Sequence, residues 1–180
     1  MTSKQIQFIT RTAVLLALTL LFQLSRPLFP PSGNAVPSLD YVTYIIGTLV
    51  NLGLIVAAAG VNVWSSLIIA IVAPIIAVMQ GHSQLPMMVP VMLGNAVVSV
   101  GAALGFKPGR LWIAFLAAPV KYAVIALGMA FFMLFPKTGA LAPALATAFF
   151  NHIVQVVTAV LAVIVALPVL AALRRALHLS

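Results

Sequence analysis

Apolar residues run almost unbroken along this chain, and polar ones gather in a few short intervals. The apolar stretches fall at about 6–24, 41–59, 61–80, 86–105, 111–135 and 144–173. Each is close to or longer than the roughly 20 residues with which a helix crosses a bilayer core. Six transmembrane helices are therefore expected. The intervals hold residues that stop helices. "SRPLFPPSGNAVPSLD" (25–40) is too rich in proline to be helical, and "GVN" makes a tight turn between the second and third runs. "GHSQLP" and "FKPGR" are loops, and "PKTGALAP" parts the last two runs. No sequence repeat and no low-complexity tail interrupts this pattern. The reading is all-α, an integral membrane bundle forming a single membrane domain over residues 1–180.

Composition agrees. Of 180 residues, 64% are hydrophobic and 6% charged, and a soluble domain of that size could not hide so much apolar surface. Nine Lys and Arg stand against one acid, Asp40, giving a net charge of +8. The cations lie thinly near span ends without a basic stripe or recognition motif, so they are read as topology and no nucleic-acid partner is expected. With a cytoplasmic N-terminus, the inside segments carry Lys4, Arg11, Lys107, Arg110, Arg174 and Arg175, and the outside loops only Arg26 and Lys137. This asymmetry favours both termini in the cytoplasm and places the loop at 25–40 outside. A cleaved signal peptide is the competing reading of the first run, but no small-residue cleavage site follows it.

Depth can be counted at 1.5 Å per residue. Asn51 lies about ten residues into the second span, Asn95 about nine into the fourth and Lys121 about ten into the fifth. Asn151 and His152 lie about eight into the sixth. Polar groups from four helices at one level suggest the wall of a cavity, since each is costly against lipid. Asparagine and glutamine in a bundle also serve as glue between helices, and Asn51, Asn95 and Gln155 are open to that reading. Asn151 and Gln155, four apart, should share a face, with His152 about 100° away. Lys121 stands out because the sole acid, Asp40, belongs to the mouth. A charged lysine without a protein counter-ion suits a ligand bringing a carboxylate or phosphate, and the alternative is a lysine that snorkels or sits neutral.

Tyr41 and Tyr44, on the outer side, could add an aromatic contact or only anchor the interface, as Trp64 and Trp112 would at the other ends. His82 and Gln84 in the third-to-fourth loop could cap a ligand or be merely solvated. Two pairs of small residues, Ala13 with Ala17 and Gly101 with Gly105, form small-xxx-small seams.

The missing motifs narrow the chemistry. There is no cysteine, no P-loop lysine, no H-E-x-x-H and no G-x-S-x-G, and a single acid cannot form a catalytic carboxylate pair. The three histidines are not spaced as a metal set. No enzyme, no resident cofactor and no metal site are expected.

With six short helices, "AVLLA" on the first and a polar level at mid-depth, the chain resembles the substrate-binding S components of energy-coupling factor (ECF) vitamin transporters. The likeness covers nearly the whole length. It is carried by Ala13-x-x-x-Ala17, by "IIGTLVNLGLIVAAAG" around Asn51, by "VPVMLGNAVVSV" around Asn95 and by the basic end "PVLAALRRALH". The resemblance implies docking through Ala13 and Ala17 on a transmembrane coupling subunit, two partner ATPase subunits that hydrolyse ATP, and a prokaryotic cell membrane. It also implies a vitamin or related micronutrient, captured beneath the outer loops and carried across the membrane. Metal-specific members use an N-terminal histidine that this chain lacks, so nickel and cobalt are not expected. Lys121 would be the charge anchor, with Asn51, Asn95, Asn151 and Gln155 orienting the ligand. The rival reading is a structural or assembly subunit of a membrane complex, in which the same residues only join helices. An intramembrane enzyme ranks third.

Overall fold

The computed structural model describes residues 2–29, 40–81, 83–134 and 141–176. Among the described residues seven α-helices follow one another, namely α1 (Ser3–Leu24), α2 (Tyr41–Gly60), α3 (Val63–Met79), α4 (Met88–Gly105), α5 (Leu111–Leu134), α6 (Leu141–His152) and α7 (Val154–Ala176). Short 3-10 turns cover Arg26–Leu28 and Leu85–Met87. The protein is an all-helical, membrane-spanning bundle. Five of its spans are long and apolar enough to cross a bilayer, and α3, with 17 residues, is shorter.

Local chemistry sets the ends of the helices. Thr2 and Gln5 form a reciprocal capping box, and α1 accordingly starts three residues before the apolar run. The Asp40 carboxylate accepts from the Val42 and Thr43 amides and starts α2. Asn62 does the same for α3, accepting from the Ser65 amide at 2.9 Å, which fixes the tight turn that divides the second and third apolar runs. Gly81 and Gly109 have φ of 72° and 73° in the turns after α3 and before α5, a conformation that costs glycine nothing.

The last apolar run departs most from the expected pattern, since α6 already starts at Leu141, inside the interval expected to part the last two runs. The sixth apolar run is two helices, broken at Ile153. The Ile153 amide reaches the Phe150 carbonyl instead of that of Phe149, four residues back. The Phe149 carbonyl accepts the Tyr122 hydroxyl of α5 at 3.0 Å, and the two rings meet edge to face at 5.3 Å. A tertiary donor thus replaces the lost helical one, which is what a break at membrane depth requires.

Helix α2 packs against α1, α3, α4 and α7, while α5 packs against α4, α6 and α7. Toward the end where α1 begins and α7 finishes, here the terminal end, the interior is dry. Leu54, Ile55, Ile69, Val98, Ala118 and Val163 belong to one cluster there. Small residues allow close approach between α4 and α5. A Cβ on Gly101 would collide with the Ala117 side chain, and one on Gly105 would lie 2.5 Å from the Ala114 amide nitrogen. The Gly101/Gly105 seam is thus internal, whereas Ala13 and Ala17 are exposed on the outer face of α1 beside Val14, Leu18 and Leu21.

Candidate functional site: a polar cavity at the opposite end

At the other end, the mouth end, the helices enclose a cavity of about 670 Å³. Helix α2 contributes Thr43, Ile46, Gly47, Val50 and Asn51, one stripe at helical spacing. Gly47 keeps that wall thin, since a Cβ there would lie 3.0 Å from the Thr158 methyl group. The other walls come from the end of α1 and the turn after it, from α3 and the loop after it, and from α4, α5, α6 and α7.

Lys121 closes the inner end. It is 3% exposed, and its Nζ donates to Asn51 Oδ1 at 2.6 Å and to Asn95 Oδ1 at 2.9 Å. An ammonium offers only donors, so both amides must turn their oxygens toward it. Asn51 Nδ2 then donates to Thr158 Oγ1 at 3.2 Å, and the Thr158 hydroxyl donates to the Gln155 carbonyl at 3.3 Å. Behind Asn95, Ser99 donates to its backbone carbonyl, and the Ser66 hydroxyl lies 2.7 Å from that of Ser99. The network joins α2, α3, α4, α5 and α7. Both acceptors of Lys121 are neutral, so they solvate the charge without cancelling it.

The sole acidic side chain is engaged elsewhere. Asp40 Oδ2 pairs with Arg26 at 2.7 Å and accepts the Thr43 hydroxyl at 2.6 Å. Arg26 and Thr43 both line the mouth of the cavity. Gln23 lines it as well. Its Nε2 donates to the Ala73 carbonyl at 3.4 Å, and its buried Oε1 has no hydrogen-bond partner among the described residues.

The break at Ile153 corrects the expected geometry of the sixth span. Residues 151 to 155 do not form one continuous helix, so Asn151 and Gln155 are not held on one face by helical phase, and Asn151, His152 and Gln155 all line the cavity. His152 is buried, with Nδ1 2.7 Å from the Ala148 carbonyl. A ring nitrogen facing a carbonyl donates its proton to it, so Nδ1 is engaged within α6.

Of the other expected residues, Gln84 lines the mouth, while His82 lies outside the described residues. Tyr41 and Tyr44 are not among the lining residues, and Tyr41 is 43% exposed on the outside of the bundle. Helical phase places Tyr41 on the side of α2 away from the stripe of Thr43, Ile46, Gly47, Val50 and Asn51. Sequence reasoning missed Gln23, Arg26 and Thr43 as lining residues. The available signal was Asp40 at the start of α2, since a lone acid attracts the nearest cation across its loop. Among the described residues, no group of three or more His, Cys, Asp or Glu side chains could hold a metal ion. No family model, curated protein or solved structure matches this chain.

Proposed function

We propose that the cavity captures a small micronutrient, a vitamin or precursor with an anionic group, and that the chain is the substrate-binding S component of an ECF importer in a prokaryotic cell membrane. The observation that carries the proposal is Lys121, a buried cation in a cavity wall, held by neutral oxygens, in a chain whose only acid is paired with Arg26. Such a site attracts an anion from outside the protein. The volume is within the range of small-ligand sites, about 300–1,000 Å³. Gln23 Oε1 is an acceptor suited to a ligand's own N–H or O–H group. The exposed Ala13 and Ala17 leave room for a coupling subunit to approach α1 closely. Partner ATPases would supply the energy, and the chain itself would catalyse nothing.

Thermal melting of the purified protein against a vitamin panel tests this, because a ligand that binds only the folded state stabilises it. One compound should raise the melting temperature of the wild type and fail to do so in Lys121→Ala. Mass spectrometry of co-purified small molecules should identify the same compound. Co-purification with a coupling subunit and two ATPases should be lost on Ala13→Trp or Ala17→Trp, and survival of the complex through both changes would refute that docking face.

A second reading, a structural subunit of a larger assembly, draws on the hydrogen bonds by which Lys121 joins α5 to α2 and α4. Under that reading no compound shifts the melt.

A further inference from the structure

A second cavity, of about 550 Å³, opens between α1, α2 and α7 at the terminal end and shares no lining residue with the first. Leu15, Val56 and Leu170 line it with apolar surface. Val14 and Leu173 on its rim are 60% and 38% exposed, so the crevice opens sideways, toward the lipid that surrounds a membrane bundle. Its lining also includes two guanidinium groups, Arg11 and Arg174. We propose that this crevice binds one anionic phospholipid, its phosphate held by Arg11 and Arg174 and an acyl chain laid along Val14, Leu15, Val56 and Leu170.

Charge decides the occupant. Arg11 lies eight residues after the start of α1, about 12 Å along the axis, so its guanidinium sits beside apolar surface. The one acidic side chain of the protein is at the far end with Arg26, and among the described residues neither Arg11 nor Arg174 makes a hydrogen bond or ion pair. No acidic side chain of the protein is there to supply the counter-charge. A phosphodiester fits the fork of a guanidinium, and basic pockets between spanning helices recognise anionic lipid headgroups. A zwitterionic lipid brings its own cation, and a soluble anion has no tail for the apolar wall. A protein helix would have to carry a carboxylate into that wall. The inference depends on the chain lying in a bilayer and not on any ligand of the polar cavity.

Native mass spectrometry can test it on the full chain, extracted from bilayers of phosphatidylcholine doped with phosphatidylglycerol. The wild type should retain a single phosphatidylglycerol in preference to phosphatidylcholine. The double variant Arg11→Gln/Arg174→Gln should bind it about 30-fold more weakly, from the attraction typical of two cations near an anionic surface. Lys107→Gln, which removes an exposed charge outside the crevice, should retain it. Equal retention of the two lipids, or undiminished retention by the double variant, would overturn the proposal. Displacement by inorganic phosphate as effective as by the lipid would also overturn it, marking a site for a soluble anion. If the double variant does not fold, Val14→Trp provides the check. It keeps both arginines and fills the crevice, and retention of phosphatidylglycerol by that variant would refute the seat of the acyl chain.

Discussion

Helix α2 passes through two unlike halves of the molecule. From Thr43 to Asn51, every third or fourth residue faces a polar cavity, and the neighbouring groups are amides, cations and a histidine. From Leu54 to Ala58, every side chain is buried against apolar residues of α3, α4, α5 and α7. The terminal half is not free of polar atoms, but it uses hydroxyls. Thr12 donates to Ser65 at 2.9 Å, Thr19 to the Leu15 carbonyl at 2.7 Å, and Ser66 lies 2.8 Å from the Leu54 carbonyl. A hydroxyl has one proton and can spend it on a nearby carbonyl, so it is satisfied inside a packed helix pair. An amide or ammonium has two or three donors that no single helix can meet. Where such groups face one another across several helices, bonding capacity is left over for a ligand.

The largest effect should come from cutting the dry half. Leu54→Ala removes a fully buried side chain and should cost about 2–5 kcal/mol, read as a lower melting temperature in detergent. Ligand affinity in the folded fraction should be unchanged, and a parallel loss of affinity would mean that the two halves are not separable.

Lys121→Met should behave in the opposite way. Relief of a buried charge offsets the loss of two hydrogen bonds, so stability should stay within about 1 kcal/mol of wild type while the ligand-induced shift disappears. Thermal melting with and without the ligand found in the panel would read both. If a large stability loss accompanies intact binding, the polar half is glue.

Tyr122→Phe leaves the Phe149 carbonyl without its donor and should cost about 1 kcal/mol, with faster amide exchange around Ile153. No change in exchange there would separate the helix break from this hydrogen bond. The smallest effect belongs to the mouth. Arg26→Gln breaks a partly exposed ion pair worth less than about 1 kcal/mol, and the melting temperature of the wild type should fall slightly as salt rises, a dependence the variant should lose.

Particular residues mark how far the sequence was legible. Lys121, Asn51 and Asn95 could be placed at one level by counting, because helix rise is fixed and apolar runs have a definite start. That Asn51 and Asn95 spend their oxygens on Lys121 was not legible, since depth says nothing about azimuth between helices. Tyr41 falls on the side of α2 away from the cavity stripe, and Tyr44, next to Thr43, is not among the lining residues. Asn151, His152 and Gln155 converge through a break that no proline or glycine announces. At that break the Phe149 carbonyl takes its hydrogen bond from the Tyr122 hydroxyl of another helix.

The sequence by itself determined a membrane-spanning helical bundle, its approximate spans and the buried depth of its one central cation, because hydrophobicity and helix geometry are local properties. Tertiary structure alone decided which polar groups spend their bonds on each other and which small-residue seam is internal. It also set where the cavity and the crevice open. Those outcomes depend on the rotation and approach of whole helices, which are fixed by packing between residues far apart in the chain.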